Sequence, residues 1–264
     1  FQELLYSVNG TTDMLTYKTE FFSQISSISK HINASSTPDP LKEQFYRICS
    51  PINTSLLHQR TRNKPLGYAG DYLIIDWIYT LKSVPQSPGN FFDTLFHSYE
   101  AAEAVRNRKE YFIKKCLSLS HQEKRTFHIL NLACGSCRDV IETFETSKNG
   151  ANLNFDCIDS EKQAISYAGQ LLHNAPFANR VSLHEGNVLR MKTSQTYDLV
   201  WSAGLFDYLE DRVVILLLKK IWRHLKDGGR IIFGNFSPRN PTREGMELVG
   251  KWYLIHRTAE QLIQ

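Results

Sequence analysis

No apolar run in the 264-residue chain approaches the roughly 20 residues that a membrane-spanning helix requires, so stable membrane insertion is not expected. No secretory signal opens the chain. Phe1 stands first, without an initiator Met, and the chain is expected to begin inside a longer one and to work in the cytoplasm. The five cysteines, Cys49, Cys116, Cys134, Cys137 and Cys157, are an odd number, which argues against a disulfide framework. Cys134 and Cys137 form one C-x-x-C, but no second ligand pair stands at a suitable spacing, so no metal is expected. An excess of one charge is also missing: 31 basic against 27 acidic side chains leave only +4. A nucleic-acid binder shows a dense basic stripe. The nearest approach, Arg106, Arg108, Lys109, Lys114 and Lys115, is interrupted by apolar residues at helical spacing and reads as a solvated helix face. Nucleic acid is therefore not expected as a partner.

What is present is ordinary globular material, 42% hydrophobic and 22% charged, in two stretches of different texture. Residues 1–120 carry helical patterns and no strand series. Apolar residues recur at helical intervals from Leu15 to Ile32, and Ser35 to Pro40 breaks the chain. Short helices are expected from Leu41 to Cys49 and from Asp71 to Leu81, and one long amphipathic helix from Phe91 to Leu119. Residues 121–264 alternate instead. Strands are expected at Phe127–Ala133, Asn154–Asp159, Val181–Glu185, Tyr197–Ser202 and Arg230–Phe236. Helices are expected at Arg138–Glu145, Glu161–Leu172, Asp211–Leu225 and around Ala259–Ile263. That alternation implies an α/β fold, a Rossmann-like, doubly wound and mostly parallel sheet, preceded by a helical region.

In such sheets ligands bind beyond the carboxyl ends of the strands. The first strand leads into Ala133-Cys134-Gly135-Ser136-Cys137, small residues that let a backbone approach a ligand closely, at the start of a helix whose free N–H groups favour an anion. The second strand ends at Asp159, 24 positions beyond Gly135, followed by Ser160. A carboxylate so placed accepts from ribose hydroxyls, or else caps the next helix. The third strand leads into Gly186-Asn187-Val188, where an amide can read an adenine edge or simply make a turn. The fourth ends in Ser202-Ala203-Gly204, with Phe206, Asp207 and Tyr208 just beyond.

Taken in order, these segments resemble the motifs of class I S-adenosylmethionine-dependent methyltransferases, over about Phe127 to Phe236. The resemblance implies S-adenosylmethionine as cofactor, with Ala133 and Gly135 beside its methionine portion, Asp159 at the ribose and Asn187 at the adenine. Ser160, Val188, Ser202, Ala203 and Gly204 complete the expected cofactor site. The chain departs from the family pattern at Asn131, where an acid is usual, and at Ala133 and Cys137, where glycines are. A narrower resemblance rests on KPLGYAGD (64–71), NLACGSCRD (131–139), SAGLFDYL (202–209), NFSPRNPTR (235–243) and WYLIHRT (252–258). Together these are similar to proteins of extracellular-factor 3-hydroxypalmitic acid methyl ester biosynthesis. That implies methyl transfer to the carboxylate of a 3-hydroxy fatty acid.

A carboxylate acceptor is already ionised at neutral pH and needs orienting donors rather than a base. Arg62, Arg243, His256 and Arg257 are candidates for that role. For a hydroxyl or amine acceptor, Asp207 and His256 would serve as base. Phe206, Tyr208 and Trp252 are candidate substrate contacts, each with core packing as the alternative. Gly67 and Gly70 bracket Tyr68 in a loop expected to fold over the cofactor. The strand pair that normally completes the class I sheet is not found after Phe236, so the C-terminus is expected to be incomplete. Two other readings stay open: a nucleic-acid or protein methyltransferase, and a non-catalytic Rossmann-like binding protein.

Overall fold

The computed structural model describes residues 1–8, 12–122, 125–147 and 152–263. The chain forms two compact units, Phe1–Val105 with Arg239–Tyr253, and Arg106–Pro238 with Leu254–Gln264.

The first unit is helical. It contains α1 (Gln2–Tyr6), α2 (Met14–Ala34), α3 (Pro38–Ile48), α4 (Leu56–Asn63), α5 (Tyr72–Tyr79), α6 (Asn90–His97) and the start of α7 (Glu100–Gln122). Helix α2 buries Tyr17, Phe21, Ile25 and Ile32 along one stripe, and the Asp13 side chain caps it by accepting from the Thr16 N–H. Asp71 caps α5 through the N–H groups of Leu73 and Ile74, and both its oxygens also meet Arg60. Helix α4 has no long apolar period and is not legible as a helix in the sequence. Distant groups hold it: buried Asp93 on α6 accepts from the Ser55 hydroxyl and the Leu57 N–H. His58, with burial pushing its pKa down to about 3, stays neutral between Ser55 and Tyr99.

The long helix expected from Phe91 to Leu119 is two helices, α6 and α7. At the break the Ser98 N–H turns back to the Thr94 and Leu95 carbonyls, and its hydroxyl donates to the Leu95 carbonyl. The Phe96 and Tyr99 rings stack across this corner at 5.4 Å. No Gly or Pro marks it, which is why the sequence reads straight through.

The second unit holds a parallel sheet. Its strands are β1 (Phe127–Leu132), β2 (Leu153–Asp159), β3 (Val181–Glu185), β4 (Tyr197–Ser202) and β5 (Leu225–Phe233), with α8 (Arg138–Thr146), α9 (Lys162–Leu172), α10 (Asp211–Trp222) and α11 (Ala259–Ile263). Among the described residues the sheet has five strands in the order β3-β2-β1-β4-β5, every neighbouring pair parallel. Phe112 and Cys116 of α7, with Val140 and Phe144 of α8, pack against Ile129, Phe155, Cys157 and Trp201 on one face. Val214, Leu217 and Ile221 of α10 cover Leu130, Leu132, Ile158 and Val200 on the other. Burial on both faces explains why these strands read as continuous apolar runs.

Strand β5 starts five residues earlier than expected. The turn Asp227-Gly228-Gly229 lies inside it as a bulge, because Tyr197 pairs with Leu225 while Leu199 pairs with Arg230. Gly229 is required there: a Cβ would lie 2.8 Å from the Tyr197 carbonyl oxygen. The expected boundary between residues 120 and 121 falls inside α7, whose Phe112 and Cys116 already belong to the sheet core. Arg239–Tyr253, expected with the sheet, belongs to the helical unit. Its Thr242 hydroxyl accepts from the Ala101 N–H, and its Gly245 presses on the Phe22 ring.

Candidate active site

The strand order reverses between β1 and β4, and the crevice beyond their carboxyl ends is where a doubly wound sheet binds ligands. After β1, residues Ala133, Gly135 and Cys137 all have positive φ (52°, 55° and 54°). Two of these three are not glycine, so the loop holds strained backbone of the kind concentrated at ligand sites. Alternating left-handed residues of this sort turn successive N–H groups to one side. Asp159 secures the loop from β2. Its Oδ2 accepts from the Gly135 N–H and its Oδ1 from the Glu161 N–H, each at 2.9 Å. Its side chain therefore braces the β1 loop and the turn into α9, whose N-cap is Glu161 rather than Asp159. Burial raises its pKa, opposed by those N–H groups. Ser160 is exposed and does not cap α9 through its side chain. At the β3 end the Asn187 amide oxygen accepts from the Leu189 N–H, leaving its NH2 as donor. Val188 packs partly buried beside the α10 face. A cavity of about 430 Å³ adjoins Asn187, with Ile158, Gly186, Met191 and Tyr197 among its walls.

Cys134, Cys137 and Cys157 are buried and reduced. The three thiols act on one another in both directions, and with burial added all three stand well above the ordinary thiol range, which suits packing and not redox exchange. Asn131 is buried, with its amide 3.4 Å from both oxygens of Asp139. The carboxylate missing at position 131 is therefore present beside it, carried by the first turn of α8. Burial pushes Asp139 up to about 6, opposed by the Val140 N–H, Asn131, Trp201 and the charge of Arg108.

The tip of β4 differs from the sequence reading. Ser202 is buried and donates to the Leu132 carbonyl, tying β4 to β1, with Ala203 and Gly204 half-buried beyond it. Phe206, expected to face substrate, is fully buried and stacks on Phe233 at 4.1 Å; it is core. Asp207 is 2% exposed and turns inward, accepting from the Phe236 N–H at 2.6 Å. Burial pushes it up to about 6, against that bond and the charges of Arg108 and Arg257. Tyr208 remains half-buried in the same short 3-10 turn.

Arg257, expected as a catalytic or orienting residue, is a structural clamp. It makes five hydrogen bonds, to both Phe206 and Leu209 carbonyls, to the Asn235 side chain and twice to Asp211. A guanidinium has five N–H donors, so none is left for a substrate. His256 bonds the Leu254 carbonyl through Nδ1 and lies edge-on to Phe236.

The cation at this tip is one that the sequence reading placed on a solvated face. Arg108 of α7 is half-buried, with its guanidinium only 3.0 Å from where a Cβ on Gly204 would stand. Its neighbour Lys109 is 6% exposed and pairs with Glu142 at 2.5 Å. The basic run is thus divided between core-facing and solvent-facing positions. A glycine at 204 is the one local signal that something approaches there.

The remaining expected residues belong to the helical unit. Arg62 donates to Asn53 and Arg243 to Glu247, while Trp252 is buried and bonds its N–H to the Met246 carbonyl. Burial withdraws Trp252, and the ion pair with Glu247 occupies Arg243. Tyr68 is half-buried in the turns between α4 and α5, one residue after Gly67 at φ 87°.

The family described as "Methyltransferase domain" matches residues 123–261, just over half of the chain, and the chain belongs to it. It is a class I enzyme that uses S-adenosylmethionine, which sets aside the non-catalytic reading. No curated protein sequence matches the chain significantly. Among solved structures, a Bordetella parapertussis protein described as a possible exported protein shares the fold at TM-score 0.62 and 19% identity, over 82% of this chain and 78% of that one. The N-methyltransferase NodS of Bradyrhizobium japonicum, in complex with S-adenosylhomocysteine, has TM-score 0.46 and 18% identity, covering 61% and 72%. The methyltransferase CcbJ of Streptomyces caelestis has 0.41 and 18%, covering 50% and 49%. In the described residues no helix is long and apolar enough to cross a membrane.

The residues at the strand tips fit the cofactor. The Asp159 oxygens accept the Gly135 and Glu161 N–H groups and have further lone pairs that hydroxyls would use, and burial raises the carboxyl pKa against the backbone N–H groups around it.

Proposed function

We propose that the chain methylates the carboxylate of a small acceptor of the 3-hydroxy fatty acid class, as the narrower sequence resemblance implies. The observation that carries this reading is Arg108 above Gly204 at the β4 tip. An ionised carboxylate needs a guanidinium to orient it, not a base to activate it. Asp207, the expected base, is turned inward onto the Phe236 N–H. Asp159 would hold the ribose, Asn187 the adenine edge, and the backbone of Ala133–Gly135 and Ser202–Gly204 the methionine portion. Asp139, beside Asn131, puts the negative charge of the family pattern near the β1 tip. When bound, S-adenosylmethionine supplies a methyl group on a positively charged sulfur. The protein's part is alignment and exclusion of water, with Arg108 setting the acceptor oxygen. Five reduced cysteines support a cytoplasmic setting.

The test is incubation with S-adenosylmethionine and 3-hydroxy fatty acids of graded length, with methyl ester measured by mass spectrometry. Ester formation is expected, and Arg108→Met should lower kcat/KM for the acceptor by about 100-fold, the loss of a charged hydrogen-bonding pair. Absence of ester from every carboxylate offered, by protein that binds S-adenosylhomocysteine, would refute the acceptor assignment.

A further inference from the structure

The helical unit gathers three cations around two tyrosines. Tyr46 lies on α3, Arg62 in the last turn of α4, Lys64 just beyond it, and Lys251 and Tyr253 on the returning segment. The Arg62 Cζ is 5.3 Å from the Tyr46 ring centroid and the Lys251 Nζ 4.0 Å, while the Lys64 Nζ is 5.9 Å from the Tyr253 ring. Burial, with Tyr253 nearby, raises the Tyr46 pKa.

Among the described residues no carboxylate lies within ion-pair distance of Arg62, Lys64 or Lys251. The hydrogen-bond partner of Arg62 is the neutral Asn53 side chain, at 2.7 Å. Ring faces orient a cation but do not neutralise it. All three are half-buried, where like charges repel more than in open water. Both lysines also sit at positive φ, 45° and 52°, a conformation that glycine or asparagine takes at lower cost. Such strain persists at ligand clamps. Three cations from two segments match the oxygens of a phosphate, whose dianion offsets more of the +3 than a carboxylate does.

We propose that Tyr46, Arg62, Lys64, Lys251 and Tyr253 form a binding site for a phosphate monoester, its organic group resting on the exposed Tyr253 ring. The site stands apart from the methyl-transfer reading and does not depend on it.

The experiment is calorimetric titration of the whole chain in low-salt, phosphate-free buffer with phenyl phosphate, inorganic phosphate and acetate. Phenyl phosphate should bind at least ~10-fold more tightly than acetate and weaken as salt rises. Arg62→Gln and Lys251→Asn should each cost ~10-fold, while Lys42→Gln, on an exposed pair with Asp39, should cost nothing. Asparagine at 251 keeps the left-handed backbone, and thermal melting with S-adenosylhomocysteine titration verifies the fold of each variant. Tighter binding of phenyl phosphate than of inorganic phosphate assigns the site to a phosphorylated small molecule; equal binding assigns it to free phosphate. No saturable binding of either phosphate by ~10 mM, or equal binding by wild type and both variants, would overturn the proposal.

Discussion

The tips of β1 and β2 and the tip of β4 were equally rich in chemistry as sequence, yet they use their polar residues differently. At the first, Asp159 is buried and accepts from backbone N–H groups but has further lone pairs that hydroxyls would use. At the second, Arg257 spends every donor within the protein, Asp207 turns to Phe236, and Phe206 enters the core. Residue type states which chemistry is available. Only the count of local partners states whether any of it is left for a ligand.

The largest way to sharpen that contrast is Phe206→Ala. Removing a fully buried ring stacked on Phe233 should cost about 3–5 kcal/mol, read by chemical denaturation. Near-native stability would mean that the ring faces a ligand site after all. Next is Arg257→Met, which strands the Phe206 and Leu209 carbonyls. It should lower stability by about 3 kcal/mol while the surviving folded protein still binds S-adenosylhomocysteine. A variant of unchanged Tm but lost turnover would restore Arg257 to the catalytic set.

A smaller effect separates Asp207 by pH. Burial raises its pKa from 3.8 to about 6, so the folded chain holds this proton more tightly than the unfolded one. The stability it contributes is complete below about pH 4 and lost as pH rises through about 6. Asp207→Asn stays neutral and keeps an acceptor for the Phe236 N–H. It should match wild type near pH 4 and exceed it by ~1–2 kcal/mol at pH 7.5, against a background in which Asp139 titrates similarly. A gap that does not change with pH would show that the Asp207 carboxyl is not held in this way.

How much of this was legible follows the same division. The strands stood out because burial on both faces leaves uninterrupted apolar runs, as in FHIL and YDLVW. Asp159 was legible because strand end, spacing and acid coincide. The α6–α7 corner was not, since a serine hydroxyl and two stacked rings make it without Gly or Pro. Arg108 was lost within a run of basic residues, because which side of α7 meets the sheet is decided by tertiary packing. The bonds that consume Arg257 end mostly on carbonyls and side chains 22 to 51 residues away, which no local pattern records.

The central claim is that Asp159 keeps its free lone pairs for a ribose. It is tested most directly by titrating wild type and Asp159→Asn with S-adenosylhomocysteine, with thermal melts of both. Micromolar binding by wild type and a loss of ~10- to 100-fold in a folded Asp159→Asn protein are predicted. Equal affinity in the two proteins would contradict the claim.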